Sequence, residues 1–371
     1  MKKFKEYLRA ASAAYGSLKS TNFNVCIGNV SADMDSIVGS LLLSYFLTSS
    51  GNLTYPNINC TKDDIKSRLD VYKVLERNEI TADLIFHDQA YYHQLRESNH
   101  IKVVLFDHNT PDINQNYLLD DIDMIVDHHS IYKSIKAKCQ NIQPCGSATS
   151  LVINLFGKGT DWDTDLALFA ASPILMDCDN FSPASMTIKW NQIDVNAFNV
   201  LQPCLVGINT QHYYQELISS KFDIKAILNL GLDNILAADY KNYNISNDFK
   251  YGSSVVSVSP SLLQSKFGND AINKSIASLM EKKGIQLYLL NSVCADSKTK
   301  MRALLLISPN KLLLSKLESK MLDLPVFKNG QDLIKKPIPE IPNAILYHLL
   351  HPKITRKILE PVLNELLQLI V

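Results

Sequence analysis

The sequence predicts an α/β protein of two domains: an N-terminal, mostly parallel sheet flanked by helices, and a smaller C-terminal α/β domain, with the active site in the cleft between them. The first observation behind this prediction is an alternation of strand-like and helix-like segments in the first half, which is typical of parallel sheets with right-handed crossovers. The second is size, because 371 residues that are 46% hydrophobic can form two buried cores. The pattern of residues along the chain changes near 205–220, which gives the predicted domains the bounds 1–205 and 215–371.

The elements of the first half follow from short apolar runs and from longer stretches of helical length. Each predicted strand is an apolar run that ends in polar residues, and the helices begin at small or polar residues that can cap them. In chain order we expect a strand at 23–27, helices at 36–47, 63–78 and 87–97, strands at 101–106 and 123–126, a helix at 145–157, and a further helix that Asp163 or Thr164 caps.

The second half has its own succession of elements, which predicts a second α/β domain. In chain order we expect a hinge and helix at 221–243, strands at 251–260, 285–290 and 301–309, a proline-rich connector at 335–345, and a last helix at 351–370.

Cysteine use and hydropathy indicate a reduced, cytoplasmic protein. The seven cysteines are scattered without a CxxC pair, which argues against a zinc ribbon and against a disulfide framework. No apolar run reaches the roughly 18 residues of a membrane span, and no signal-peptide core follows the basic N-terminus. We therefore expect no membrane partner, and no obligate protein partner is evident.

Charge is distributed unevenly, although 37 basic residues balance 37 acidic ones. Residues 211–371 contain 20 Lys and Arg against 14 Asp and Glu, and residues 1–210 contain 17 against 23. One interpretation is a metal-binding domain that faces a domain holding an anion, and the other is chance variation. The charge distribution alone does not distinguish these two interpretations.

Four clusters of acidic residues or histidines lie where apolar runs end. They read SADMDS at 31–36, FDHNT at 106–110, VDHHS at 126–130 and MDCDN at 176–180. The carboxyl ends of parallel strands meet at one edge of a sheet, so these clusters can converge there. Together they offer the several carboxylates that two metal ions about 3.5–4 Å apart require, which predicts a metal-dependent hydrolase.

Each cluster also has an interpretation without a metal. Asp33 and Asp35 can share one face as ligands of Mg²⁺ or Mn²⁺, but the same spacing suits a cap of the following helix. An aspartate at a strand end, such as Asp107, is by itself a helix cap as often as a metal ligand. The segment 127–129 is the strongest single indication of a metal site, and its alternative is a solvated turn. Asp177 by itself is only weak evidence for a ligand.

Basic residues of the second half supply candidate phosphate contacts. Lys221 offers a point charge, and Arg356 next to Lys357 can hold phosphate oxygens with two hydrogen bonds. Positioning and charge neutralisation provide most of the catalysis of phosphoryl transfer, so such residues suit the predicted chemistry. The alternative for the Arg-Lys pair is a solvated helix face.

Taken in order, these motifs resemble the DHH phosphoesterase superfamily, in the branch that contains eukaryotic cytosolic exopolyphosphatases and family II inorganic pyrophosphatases. Beyond the four clusters, the resemblance extends over nearly the whole chain. Counterparts of the branch's segments are GSATSLV at 146–152, SSKFDIKAI at 219–227, DYKNY at 239–243 and ITRKILEPVL at 354–363. The last resembles a Ser-Arg-Lys signature, with Thr355 in place of Ser.

The resemblance implies roles for individual residues. It implies a metal-binding DHH domain at 1–205 and a DHH-associated substrate-binding domain at 215–371. The implied metal ligands are Asp33, Asp35, Asp107, His128 and Asp177, with Asp107 as the bridge. The implied catalytic residues are His129, Asp107 and His128. The implied substrate contacts are His129, His108, Lys221, Arg356 and Lys357. Asp179 matches no ligand of the family, and we expect Asp127 to support the ring of His128.

One departure separates the two branches of the family. The pyrophosphatases have Gly-His at the start of the first motif, and that His is a metal ligand, whereas this chain has Gly28-Asn29, as the exopolyphosphatases do. Asn29 is a weak ligand at best, which favours Mg²⁺ over softer ions. The triplet Asp107-His108-Asn109 favours the pyrophosphatase branch instead, because it resembles the corresponding motif of those enzymes.

These residues predict an exopolyphosphatase that releases orthophosphate from the end of linear polyphosphate, with Mg²⁺ or Mn²⁺ at a two-metal site and Co²⁺ as a substitute in vitro. The alternative is a manganese- or magnesium-dependent inorganic pyrophosphatase. A third hypothesis, a weakened binding or signalling protein, is disfavoured by the intact Asp127-His128-His129. Related exonucleases contain a Gly-Gly motif that this chain lacks, and no aromatic-basic stripe suggests nucleic acid as a partner.

Overall fold

Two compact units make up the protein. They are Met1–Lys221 and Phe222–Val371, so the division falls C-terminal to the predicted bounds of the first domain. The computed structural model describes residues 1–19, 22–131, 135–246, 248–293, 302–328, 330–336, 341, 343–351 and 354–371.

A five-stranded parallel sheet forms the centre of the first unit, in the order β2-β1-β3-β4-β5. Every neighbouring pair is parallel, which confirms the predicted sheet. The strands are β1 (Asn22–Ile27), β2 (Thr54–Asn57), β3 (His100–Phe106), β4 (Ile122–Asp127) and β5 (Cys139–Ile142). The sequence predicted β1, β3 and β4, which are the three central strands, and missed the two edge strands.

Nine helices of the described residues belong to this unit. They are α1 (Lys2–Tyr15), α2 (Met34–Ser49), α3 (Lys62–Ser67), α4 (Leu69–Arg77), α5 (Gln89–Ser98), α6 (Ala148–Phe156), α7 (Thr164–Asp177), α8 (Gln192–Leu201) and α9 (Thr210–Lys221). Short 3₁₀ segments are Thr81–Asp83, Ile113–Asp121, Asp179–Phe181, Pro183–Ser185 and Gln202–Leu205. The helix predicted at 63–78 is two helices, because the backbone leaves helical geometry at Arg68. The Asp163 carboxylate caps α7 by accepting from the Leu166 N–H.

Helices cover both faces of this sheet, because side chains alternate between the faces along each strand. Val103 and Leu105 of β3 pack into one apolar cluster, which includes residues of α5. Val104 and Phe106 pack into the other, which includes residues of α2, α6 and α7. A Cβ at Gly39 of α2 would lie 2.2 Å from Phe106, so α2 packs closely against β3.

The register of the sheet brings the predicted motifs to one edge. Ile27, the last residue of β1, pairs with Leu105, and Phe106 pairs with Val126. The segments that follow β1, β3 and β4 therefore all start at the carboxyl edge of the sheet, as the sequence predicted.

The second unit has a six-stranded mixed sheet in the order β10-β11-β9-β8-β7-β6. Only β7 and β8 pair in parallel among these described strands. The strands are β6 (Lys241–Asn244), β7 (Lys250–Val256), β8 (Leu287–Val293), β9 (Arg302–Ile307), β10 (Leu333–Lys336) and β11 (Ala344–Leu349). Its helices are α10 (Ile224–Asn229), α11 (Leu232–Leu236), α12 (Pro260–Phe267), α13 (Asn269–Lys283), α14 (Lys311–Met321) and α15 (Arg356–Ile370), with a 3₁₀ turn at Pro325–Phe327.

This arrangement confirms the second α/β domain and corrects its details. The predicted strands at 251–260, 285–290 and 301–309 are β7, β8 and β9. The predicted connector at 335–345 holds the end of β10 and the start of β11, and its residues 337–340 and 342 lie outside the described residues. No helix of the described chain combines the length and hydropathy that a bilayer crossing requires.

Candidate functional site

Three predicted site residues meet at the carboxyl edge of the first sheet. Asp107 follows β3, and His128 and His129 follow β4. The Oδ1 atom of Asp107 lies 3.2 Å from Nε2 of His128 and 3.8 Å from Nδ1 of His129. Potential ligand atoms of the three residues lie within 4.8 Å of one another, which is a geometry that could hold a metal ion.

The backbone of Asp107 adopts a left-handed conformation with a φ of 62°. Residues other than Gly adopt it uncommonly, although Asp does so more readily than most, and residues with left-handed backbone cluster at functional sites. The Asp107 N–H still donates to the Val126 carbonyl at 2.9 Å, so the turn stays attached to β4. This turn fixes a carboxylate that is only 2% exposed beside the histidines that follow β4.

Asp107 is a buried carboxylate with one unsatisfied oxygen. Its Oδ1 atom is buried and has no hydrogen-bond partner among the described residues, despite its contact with His128. Burial first, and then the negative charge of Asp33, raise the pKa of Asp107 well above its ordinary value, against the opposing effect of His128. A carboxylate in this setting attracts a cation.

His128 directs one ring nitrogen toward Asp107. Its Nδ1 atom lies 2.9 Å from the Cys145 carbonyl, which can only accept, so Nδ1 carries the hydrogen. When the ring is neutral, its Nε2 lone pair faces the Asp107 carboxylate, so two acceptors converge where a metal ion would satisfy both; when the ring is protonated, the Nε2 proton lies there instead. Burial lowers the pKa of His128, but hydrogen bonds with the side chains of Asp107 and Cys145 and the charge of Asp107 outweigh it, and the pKa is raised well above its ordinary value, so a metal ion would have to displace the Nε2 proton.

Asp127 supports His129, and the expectation that it supports His128 is wrong. Its Oδ1 atom lies 2.8 Å from Nδ1 of His129, and its Oδ2 atom accepts from the Asn109 amide at 2.6 Å. Burial opposes ionisation of Asp127, but the hydrogen bond and the charge of His129 outweigh it and lower the pKa to about 2. The His129 side chain is 36% exposed. From the sequence, Asn109 was noted only as the third residue of Asp107-His108-Asn109, and nothing in the sequence indicated its hydrogen bond with Asp127.

Asp33 and Asp35 both cap helices. Asp33 accepts from the Ser36 N–H and caps α2, its own helix. Asp35 is 2% exposed and accepts four hydrogen bonds from the start of α6, the donors being the Ser147 hydroxyl, the Ala148 N–H, and the N–H and hydroxyl of Thr149. Both charges also act on the site, because each raises the pKa of Asp107.

Asp177 ends α7 beside the same carboxylates. The residue is exposed at the end of the helix. Desolvation of its carboxylate by the surrounding protein first, and then the charges of Asp35 and Asp33, raise its pKa to about 8, while Lys221 and His128 oppose the rise. Lys221, which the sequence grouped with the second domain, ends α9 in the first unit, with Nζ 3.7 Å from Oδ2 of Asp70.

Asn29 follows β1 and turns its amide nitrogen toward Asp107. The side-chain nitrogen donates to Oδ2 of Asp107 at 2.5 Å. The side-chain oxygen accepts from the Ser31 N–H at 2.9 Å and the Ala32 N–H at 3.1 Å, which fixes the orientation of the amide. A metal ligand here would need the oxygen, so the described orientation does not offer Asn29 as the weak ligand that the sequence suggested.

His108, which follows Asp107 in the chain, has a ring that is held by the backbone. Its Nδ1 atom is 2.9 Å from the Phe106 carbonyl, so Nδ1 carries the hydrogen in the neutral ring. The Nε2 atom is buried and has no hydrogen-bond partner among the described residues. Burial lowers the pKa of His108.

Arg356 starts α15 in the second unit and is bound by acidic partners. One terminal nitrogen donates to Oδ1 of Asp239 at 2.9 Å, the other to the Asp239 carbonyl, and Nε lies 3.2 Å from Glu360. Burial alone would lower the pKa of Arg356, but Asp239 and Glu360 raise it. The sequence missed both partners, although the spacing of Arg356 and Glu360 along a helix indicated the second. The side chain of Lys357 lies outside the described part of the chain.

Comparisons with known proteins cover both units. Residues 24–174 match the DHH family, N-terminal domain, and residues 215–366 match the DHHA2 domain. The rat exopolyphosphatase PRUNE1 is 25% identical over 60% of this chain and 50% of its own length. The mouse protein of that name is 23% identical over 98% of this chain and 79% of its own length. The chain therefore spans about half the length of the rat relative that it matches.

The fold has a solved counterpart. A crystal structure from Methanococcus jannaschii, of a protein assigned to the family II inorganic pyrophosphatases, superposes with a TM-score of 0.61. It covers 93% of this chain and 99% of its own, at 18% sequence identity. At this identity the likeness extends to the fold alone.

Proposed function

This chain belongs to the DHH/DHHA2 phosphoesterases, and on that premise we propose that it is an exopolyphosphatase that depends on divalent metal ions. It would hydrolyse the terminal phosphoanhydride bond of linear polyphosphate and release orthophosphate. The observation that carries the proposal is the convergence of Asp107 Oδ1 and His128 Nε2, 3.2 Å apart, beside further carboxylates. The relatives named exopolyphosphatase support the choice of substrate.

The donor atoms suit Mg²⁺ or Mn²⁺. Carboxylate oxygens and one or two imidazole nitrogens are ligands that Mn²⁺ accepts readily and that Mg²⁺ accepts when oxygen predominates. The orphaned Oδ1 atom of Asp107 is an observation in favour of a cation at this place. We assign the binding of two such ions to Asp33, Asp35, Asp107, His128 and Asp177, with Co²⁺ as a substitute in vitro.

When bound, the metal ions would activate water and neutralise phosphate charge. Asp107, which lies between the β1 and β4 motifs, would help to hold both ions. His128 binds through Nε2, in the tautomer that the Cys145 carbonyl selects. The contacts of Asp107 and His128 are formed before substrate arrives, which reduces the reorganisation that binding requires.

His129 and Asp127 form a pair suited to proton transfer. Asp127 accepts from Nδ1 of His129 and orients the ring, as carboxylates do for catalytic histidines. The Nε2 atom of that ring is then the group we assign to the substrate phosphate and to the leaving phosphate oxygen. Because the His129 side chain is 36% exposed, this edge of the ring is accessible to a ligand.

Further residues are assigned to the phosphates of the substrate. We assign phosphate contacts to Lys221, to Arg356 and Lys357 of the second unit, and to His108, which would donate from Nε2 only when that atom is protonated. Arg356 has three nitrogens engaged by Asp239 and Glu360 within the described chain, so a phosphate would use its remaining N–H directions or displace one of these partners. Arginine suits this task because its planar fork matches two phosphate oxygens.

A substrate panel with metal exchange tests the proposed function. Pyrophosphate, tripolyphosphate, long polyphosphate and a nucleoside tetraphosphate are each supplied with Mg²⁺, Mn²⁺ or Co²⁺, and released orthophosphate is measured. We expect release from tripolyphosphate and long polyphosphate, none in the presence of a chelator, and slower turnover of pyrophosphate. Absence of release from both polyphosphates with every metal would refute the proposal.

Inorganic pyrophosphatase is the second candidate. The triplet Asp107-His108-Asn109 favours it, because it resembles the pyrophosphatase branch of the family. The same panel separates the two candidates: a kcat/KM for pyrophosphate above that for tripolyphosphate would assign the enzyme to pyrophosphate.

A further inference from the structure

One short segment of the first unit orients two proposed metal ligands at once. We call residues 145–150 the α6-start segment. The Cys145 carbonyl accepts from Nδ1 of His128 at 2.9 Å. Within the same segment, the Ala148 and Thr149 N–H groups donate to the Asp35 carboxylate at 2.6 and 2.9 Å. A displacement of this segment would therefore change the directions of His128 and Asp35 together.

A second carboxylate holds the α6-start segment from α8. Asp194 is fully buried, and its Oδ2 atom accepts from the Gly146 N–H at 2.9 Å. Its Oδ1 atom accepts from the Ser147 N–H at 3.2 Å and from the Ser150 hydroxyl at 2.7 Å. Asp194 also accepts from the Asn191 N–H at 3.0 Å, in a capping box at the start of α8.

The α6-start segment has little room to move. A Cβ at Gly146 would lie 2.2 Å from the Lys189 carbonyl oxygen and 2.6 Å from Sγ of Cys178. Cys178 directly follows Asp177, so the end of α7 packs against the same segment. Asp194 thus connects α8 to a packed junction that borders three of the proposed ligands.

We propose that Asp194 is a positioning residue of the metal centre: through the α6-start segment it sets the orientation of His128 and Asp35 without contacting either. This inference rests on the proposed function of that centre. The physical reason is that all four groups around the Asp194 carboxylate donate to it. Asn in its place would turn an NH₂ group toward one or two of those donors, and the segment would have to shift to relieve the repulsion.

The test replaces Asp194 by Asn in the full chain and measures Mn²⁺ binding by calorimetry, starting from metal-free protein. We expect Mn²⁺ affinity to fall about 10- to 100-fold, the usual effect of disturbing the partners of metal ligands. A second measurement is the Nδ1–H proton resonance of His128 in metal-free protein, which we expect to shift or to exchange faster. A role confined to stability would change neither quantity in protein that is fully folded at the temperature of the measurement.

Asp64→Asn is the matched control. Asp64 occupies the same capping-box position in α3, but its carboxylate accepts from the N–H and hydroxyl of Thr61, outside the α6-start segment. We expect this variant to keep the Mn²⁺ affinity and the His128 resonance of the wild type. If D194N does not fold, Ser150→Ala tests the inference instead, because it removes the hydroxyl that donates to Asp194 and leaves the Asp194 carboxylate in place. We expect Mn²⁺ binding about fivefold weaker than in the wild type.

Mn²⁺ affinity within twofold of the wild type, with an unchanged His128 resonance, in folded D194N or in S150A would overturn the inference. The proposed function fails separately, if wild-type protein hydrolyses no polyphosphate. In that case a D194N variant with weakened Mn²⁺ binding would still support the positioning role.

Discussion

The Asn29 amide nitrogen donates to the Asp107 carboxylate, while the Asn29 amide oxygen accepts from the backbone of its own loop. The pair joins the first motif to the residue we propose as the metal bridge. Two backbone donors hold the oxygen, and a flip of the amide would leave both without a partner. Asn29 therefore directs the bridge through a hydrogen bond and contributes no ligand in this orientation.

Replacing Asn29 by His should change which metal the protein prefers. An imidazole at this position adds a nitrogen ligand, and nitrogen favours Mn²⁺ and Co²⁺ over Mg²⁺. We expect the ratio of Mn²⁺ to Mg²⁺ affinity to rise about tenfold, which corresponds to about 1.4 kcal/mol. Calorimetric titration of metal-free protein measures it.

The companion variant is Asn29→Ala, which removes the donor to Asp107 and adds no ligand. It should lower the affinity for both Mn²⁺ and Mg²⁺ without changing the ratio of the two affinities. A ratio that stays constant in N29H would contradict this account of Asn29.

The central strands could be predicted from the sequence, whereas the edge strands could not. β1, β3 and β4 are buried on both faces toward their carboxyl ends, where their sequences become apolar runs that lead into the site. β2 contains Pro56 and β5 is half exposed, and both occupy edges, where one side needs no partner. The apolar signal is weak in such strands.

The identity of the site residues was also more predictable than their partners. The sequence indicated Asp107 and His128, because strand ends meet at one edge. It did not indicate that Asp127 binds His129 or that the Cys145 carbonyl binds His128. These contacts depend on side-chain direction and on loop packing, which residue spacing does not encode.

Asp177 should be essential and its neighbour Asp179 should not. Asp177→Asn removes a proposed ligand, and we expect orthophosphate release from tripolyphosphate to fall at least about 100-fold, or about 2.7 kcal/mol. Asp179→Asn is the matched control, because Asp179 accepts from the Tyr214 hydroxyl at 2.7 Å and has no assigned role. Equal losses in the two variants would contradict the assignment of Asp177.

Metal-free protein should lose stability as the pH rises. The pKa of Asp177 is raised to about 8 in the folded protein, so from its ordinary value up to about pH 8 the folded state keeps a proton that the unfolded state has released. Stability therefore falls with rising pH across this range. We expect Tm in the presence of a chelator to decrease between pH 5 and about pH 8, and excess Mg²⁺ to reduce the decrease.

The variants of Asp177 and Asp179 serve this measurement too. D177N removes the titrating group, so its Tm should depend less on pH than that of the wild type, whereas D179N should keep the wild-type dependence. A Tm in chelator that rises steadily from pH 5 to about pH 8 would contradict the assigned sign.

The buried contacts of Arg356 predict a dependence of stability on its partners. Arg356 and Glu360 have side chains only 11% and 12% exposed, and burial raises the pKa of Glu360 despite the opposing charge of Arg356. Arg356→Met would leave this carboxyl buried beside Asp239 without its cation. We expect the free energy of unfolding of the second unit to fall by about 3–5 kcal/mol, measured by urea denaturation of the full chain.

A double variant distinguishes the lost charge pair from lost packing. In R356M/E360Q the buried negative charge is gone, so we expect recovery of at least about 1 kcal/mol relative to R356M. R356M/E365Q is the matched control, since Glu365 is exposed on the same helix and should give no recovery. Equal stability of R356M and R356M/E360Q would mean that Glu360 is not held by Arg356, and a phosphate could then bind the guanidinium without competing with that carboxylate.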